Sequence, residues 1–155
     1  MLKANFITAQ EAAEKIQDGS ILCTIGMTLV SASESILKAI EKRFETVGHP
    51  ADITLVHSCG QSDRKDGIQH LAHEGLVKRI VGSHWGLQPR WMEMIANSQV
   101  EAYCLPQGQI AQLYRSMACG LPGKMSKVGL GTFIDPRVEG GKMNDRTKPL
   151  PDLVD

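Results

Sequence analysis

Apolar residues in this chain alternate between short unbroken runs and stretches with helical spacing. Thr8 with Glu11 forms a capping-box signature ahead of Ala12, Ala13 and Ile16, and Asp18-Gly19 reads as the stop of that first helix. Ser20 to Ile25 is a brief apolar run halted at Gly26, as expected of a buried strand entering a tight turn. Ser33 stands where a cap belongs for a helix carrying Ile36, Leu37, Ile40 and Phe44 on one face. Asp52 to Val56 reads as a second strand, and the polar stretch QSDRKDG beyond it has the composition of an exposed loop.

The alternation continues downstream. Arg79 to Gly82 is a third strand, Pro89 to Asn97 a helix opened by proline, and Val100 to Leu105 a fourth strand. Gln107 opens a further helix with Ile110, Leu113, Tyr114 and Met117 on one face and Gly120 at its end. Strands separated by helices imply βαβ units, hence an α/β fold with a mainly parallel sheet flanked by helices. A ligand crevice is expected beyond the carboxyl ends of the strands. Residues 1–139 read as one α/β domain, and 140–155 as a polar, proline-containing loop or a truncated continuation. No internal repeat or low-complexity tract stands out.

Length and charge narrow the partners. The 155 residues suffice for a single domain with its own core. Lysine plus arginine total 17 and aspartate plus glutamate 17, so no net charge favours nucleic acid or an anionic membrane. The opening MLKANFITAQEAAEKI reads as an amphipathic helix start rather than a secretory leader, and no segment approaches the roughly 20 apolar residues of a membrane span. A cytoplasmic protein is expected. Four separated cysteines without a Cys-x-x-Cys pair suit reduced thiols better than a zinc ribbon or a disulfide frame.

Generic chemical motifs are sparse. Gly129-Leu130-Gly131 lacks the third glycine of a dinucleotide loop. His70, His73 and Glu74 could share a helical face as metal ligands, yet their order matches no zinc-protease motif, and structurally bonded histidines fit as well. No metal site is expected. Cys59 and Cys104 lie at strand ends, where a nucleophile could sit, although buried cysteines more commonly act as small apolar residues.

Longer blocks carry more information. Ala72 to Pro89, Glu101 to Gly123 and Ser126 to Asn144, together with Ile7 to Ser20, resemble in order and spacing the acetate and propionate CoA-transferases, single-chain members of family I. The resemblance implies the amino-terminal domain of the CoA-transferase fold. It further implies a reaction in which a glutamate attacks an acyl-CoA thioester and passes through an acyl-glutamyl anhydride to a glutamyl-CoA thioester. Acyl-CoA and short-chain carboxylates are then substrates, and no separate cofactor is called for.

Within the resemblance, Gln107 in Leu105-Pro106-Gln107-Gly108 takes the place of a glutamine that faces the reacting centre, implying oxyanion stabilisation. Gly26 is the one glycine kept from a glycine-rich turn after the first strand, and Gly129 and Gly131 could let backbone line the acyl pocket at the end of a strand. Turn geometry alone is an equal explanation for these glycines. The family's nucleophilic glutamate lies in a carboxyl-terminal half, and neither Glu74-Gly75 nor Glu139-Gly140-Gly141 matches its motif. The expectation is therefore a supporting half-site that needs a carboxyl-terminal half or subunit, and a self-associating chain. A non-catalytic module of the same fold, or a hydrolase or isomerase using His73, Glu74 or Cys59, are the alternatives.

Overall fold

A computed structural model describes residues 4–154. Of the opening that reads as a helix start, Met1 to Lys3 lie outside the described residues and residues 4–8 are not helical. Helix α1 (Ala9–Glu14) starts where the capping box places it: Thr8 Oγ1 accepts from the Glu11 amide at 3.2 Å, and Glu11 Oε2 accepts from the Thr8 amide at 2.7 Å. It ends earlier than Asp18-Gly19 suggests. The Asp18 carboxylate instead accepts the Ala51 amide at 2.8 Å and lies 2.9 Å from His49 Nδ1, so it ties this corner to the chain entering the next strand.

Strand β1 (Ile21–Thr24), helix α2 (Glu34–Val47) and strand β2 (Ile53–His57) follow in the predicted order, but β1 is not the buried strand expected: it stands at the edge of the sheet, where Ile21 and Cys23 are exposed and Leu22 and Thr24 half-buried. Ser33 stands at the N-cap of α2 but makes no side-chain cap bond, and Gly48 closes the helix in the left-handed conformation at φ 74°. Strand β3 (Val77–Gly82), helix α3 (Pro89–Ala96), strand β4 (Glu101–Cys104) and helix α4 (Gln107–Ala118) complete the regular elements. The four strands pair in the order β1-β2-β3-β4, every pair parallel. Parallel pairing needs crossovers, which α2 and α3 supply between β1 and β2 and between β3 and β4.

The segment QSDRKDG between β2 and β3 is an exposed loop only at Asp63 to Lys65. Gln61 and Ser62 are wholly buried, and a 3₁₀ turn over Gly67–Leu71 inserts Ile68 and Leu71 into the core. The polar composition misleads there because the 3₁₀ turn packs against α2 and folds back on Gln61, whose carbonyl accepts the Ile68 amide at 2.9 Å. Core residues come from α2 (Leu37, Ile40), from the central strands (Ile53, Leu55, Ile80) and from α3 (Trp91, Ile95). Trp91 Nε1 donates to the Ile68 carbonyl at 2.9 Å, so its burial leaves no unmet donor.

No strand contains Gly129 or Gly131: the chain from Lys127 to Gly140 runs through successive turns. Both glycines have positive φ, 95° and 76°, which breaks extension at those points. The chain after Gly140 is irregular and lies along β4. The Cys104 amide donates to Gly141 O at 2.8 Å and the Met143 amide to Ala102 O at 3.0 Å. Asn144 is buried, its Nδ2 donating to Ile95 O at 3.0 Å and Val100 O at 2.8 Å. Among the described residues no helix is long and apolar enough to cross a membrane.

Candidate active site

A cavity of about 440 Å³ opens at the carboxyl ends of the strands, where a parallel sheet presents its loops. Each strand contributes a wall: Met27 and Thr28 after β1, Cys59 and Gly60 after β2, Ser83 and His84 after β3, and Leu105 to Gln107 after β4. Leu87 and Ile134 complete an apolar side.

The walls are bonded to one another. Thr28 N donates to Gly60 O at 2.9 Å, Ser83 Oγ to Ser58 O at 2.6 Å, and Leu105 N to Gly82 O at 2.9 Å. Tyr114 reaches back from α4 so that its hydroxyl lies 3.1 Å from the Val56 carbonyl. Burial, followed by the nearby Cys23 thiol, pushes that phenol well above its usual range, so it acts as a neutral donor.

Gln107 is the first residue of α4 and stands exposed on the cavity rim. Pro106 precedes it with no side-chain cap, and both residues line the opening, so the positive dipole end of a 12-residue helix lies beside it. Gly26 lies beneath the rim rather than in the lining. Its φ is 143°, and a Cβ on it would stand 2.8 Å from Val30 O, so glycine permits the turn that delivers Met27 and Thr28 to the cavity. Gly129 and Gly131 also sit outside the lining. They shape the turn that carries Ile134 to it: Asp135 accepts the Gly131 amide at 2.7 Å, and a Cβ on Gly129 would touch Ile134 at 3.4 Å.

Cys104 and Cys59 both reach the cavity. Burial pushes the Cys104 thiol up, and its sulfur sits 3.6 Å from the Ser83 carbonyl, the environment of a protonated thiol rather than a nucleophile. His70 and His73 lie away from the cavity, between α2 and the 3₁₀ turn, where they bond Glu34 and Glu41; Glu74 is exposed beside them. Glu34, Asp66 and His70 could offer a cation three ligand atoms, but the Lys38 ammonium already lies 3.0 Å from Glu34 and 3.6 Å from Asp66. Glu139 is exposed and lines no part of the cavity.

Motif reasoning passed over His57, Ser83 and Tyr114. A histidine closing an apolar strand was the available signal for the first. Nothing local marks the others.

Comparison with known proteins agrees with this geometry. The Coenzyme A transferase family profile matches residues 6–152. The chain is 40% identical to the caffeate CoA-transferase of Acetobacterium woodii over 154 residues, covering 98% of this chain and 29% of that protein. It superposes on the acyl-CoA transferase YdiF apoenzyme from Escherichia coli O157:H7 with a TM-score of 0.87 at 37% identity, covering 95% of this chain and 28% of the other. The thioester complex of YdiF with CoA superposes with a TM-score of 0.85 at 36% identity, over 92% of this chain and 28% of that one. The chain thus spans less than a third of the length of these relatives. With a parallel sheet, a crevice at its carboxyl edge and a profile match from Phe6 to Asp152, this chain belongs to the coenzyme A transferase family.

Proposed function

We propose that this chain forms the amino-terminal part of an enzyme that moves CoA between short-chain acyl-CoA and carboxylates such as acetate or propionate. A carboxyl-terminal half or subunit supplies the glutamate. Its carboxylate adds to the thioester carbonyl, and the C–S bond breaks to leave an acyl-glutamyl anhydride and CoA thiolate. The thiolate then attacks the glutamyl carbonyl, releasing the carboxylic acid as its anion and leaving a glutamyl-CoA thioester. An incoming carboxylate reverses both steps.

Each addition places negative charge on a carbonyl oxygen, so a donor fixed beforehand accelerates it. The observation that carries the reading is Gln107 on the cavity rim at the uncapped start of α4. Its amide donates without charge and therefore does not titrate the nearby glutamate. The helix dipole adds to the same effect. Leu87, Leu105 and Ile134 give a short acyl chain an apolar wall.

The deciding measurement is CoA exchange between acetyl-CoA and propionate, by the chain alone and mixed with a family carboxyl-terminal half. Exchange only in the mixture supports the proposal. Turnover by the chain alone would return attention to Glu74 and Glu139. An assembled complex that binds but never exchanges CoA would favour a non-catalytic module of this fold.

A further inference from the structure

The carboxyl end of β2 holds a residue that its surroundings do not predict. Ile53 and Leu55 precede His57 on the same face of the strand, all three wholly buried, and an aliphatic side chain would serve packing there. The imidazole is instead used locally: Nδ1 lies 2.8 Å from the carbonyl oxygen of Cys59, two residues ahead. A carbonyl only accepts, so Nδ1 carries the proton. Burial, reinforced by the neighbouring His84, pushes His57 down to about 4 despite that bond, so the ring stays neutral with Nε2 bare.

The space for the ring is built by its neighbours. Gly82 on β3 faces it, and any Cβ there would collide with the imidazole, so only glycine admits the ring. Trp85 closes the other side edge to face, with centroids 5.9 Å apart and planes at 86°. Three successive carbonyls beyond β2 are then committed: Ser58 to Ser83 Oγ at 2.6 Å, Cys59 to His57, and Gly60 to Thr28 N at 2.9 Å. Fixing these carbonyls fixes the peptide planes of Cys59 and Gly60, which form the β2 wall of the cavity.

We infer that His57 is a positioning residue for CoA transfer: as the Nδ1–H tautomer it holds the Cys59-Gly60 wall in the place the reacting thioester requires. The inference rests on reading the cavity as the acyl-transfer site. Asparagine can put an amide N–H near the Nδ1 position, whereas glutamine reaches the Nε2 position and leucine only fills space.

Nitrogen-15 spectra of the histidine-labelled chain should show His57 protonated at Nδ1 and unchanged from pH 5 to 8. An Nε2–H tautomer, or titration in that range, overturns the inference without reference to activity. In the chain assembled with a family carboxyl-terminal half, His57→Gln and His57→Leu should lower kcat by about tenfold or more, the scale of a displaced wall, with KM within a few-fold. His57→Asn should recover most of that loss. Equal turnover of the Asn and Gln variants in an active assembly removes this role from His57 alone. A wild-type assembly that exchanges no CoA overturns the functional reading, and the role with it. Should the leucine variant fail to fold, the asparagine and glutamine pair decides.

Discussion

Glu41 uses both carboxylate oxygens on histidines: Oε1 lies 2.8 Å from His73 Nε2, while Oε2 takes His70 Nδ1. The other nitrogen of His70 faces Glu34 Oε1 at 2.8 Å, so the ring bridges two turns of α2 and ties them to the 3₁₀ turn. Burial alone would raise the Glu41 carboxyl, but the bonds from His73 and His70 win and hold it below its ordinary value. Glu34 is lowered in the same sense, by Lys38 and His70 against burial.

A group depressed in the folded state contributes stability above its unfolded pKa and loses it as pH falls through the folded one. Glu41→Gln should therefore destabilise the fold by about 1–2 kcal/mol at pH 6, the usual scale for a charge-assisted hydrogen bond in a half-buried site. The difference from the parent should shrink as pH drops from the ordinary carboxylate range toward 3. Urea unfolding across that range measures it, and a difference that stays constant would show that the ion pairs contribute nothing.

Two glycines of the site region should answer alanine in opposite ways. Gly26 has φ of 143° and a Cβ position 2.8 Å from Val30 O, both hostile to a side chain. Gly108, in the first turn of α4, has open space around its Cβ and no positive φ. Gly26→Ala is expected to cost about 1–3 kcal/mol, as residues forced into sparsely populated backbone regions do, and Gly108→Ala to be neutral or stabilising by up to about 1 kcal/mol. Thermal midpoints of the two variants decide, and equal midpoints would refute the strain assigned to Gly26.

How much of this was legible in the sequence follows from the range of each interaction. The Thr8–Glu11 capping box and the helical face of α2 depend on neighbours three or four residues away, and the pattern revealed them. On α4 the same pattern holds for Ile110, but Met117 is exposed and Ser116 is buried instead. Gln107 was reachable because it sits at a strand-to-helix junction inside a family-like block. Tyr114 was not: its hydroxyl meets the Val56 carbonyl across 58 residues, which no local spacing encodes. Gln61 and Ser62 mislead for the same reason: their polarity says exposed loop, while the irregular segment they occupy is buried by residues distant along the chain. The resemblance puts Gly129 and Gly131 at a strand end, yet their positive φ values make turns instead.

Self-association should proceed through the open edge of the sheet. β4 is flanked by the chain at Gly141 to Met143, whereas among the described residues β1 pairs with β2 alone and exposes Ile21 at 64%. An uncovered apolar edge strand invites pairing with another copy. The chain is expected to sediment as a dimer or larger species, and Ile21→Lys to shift it toward monomer. A parent that stays monomeric at high concentration would remove the edge as a contact.

The most specific residue assignment is Gln107, and its test belongs to the assembled enzyme. If its amide stabilises a developing oxyanion, alanine removes a donor that counts more in the transition state than in the ground state. Gln107→Ala should then lower turnover by roughly 10²-fold while the apparent affinity for acyl-CoA stays within a few-fold. Gln107→Glu should be worse, because a second carboxylate would oppose both the oxyanion and the catalytic glutamate. A merely structural glutamine predicts otherwise. Exposed on the first turn of a helix, it would give way to alanine with a change within about 0.5 kcal/mol and almost no loss of rate. Steady-state kinetics with the thermal midpoint taken alongside separates the two. Near-normal turnover in a folded Gln107→Ala enzyme would take the residue out of the site and leave the oxyanion to other donors of the cavity.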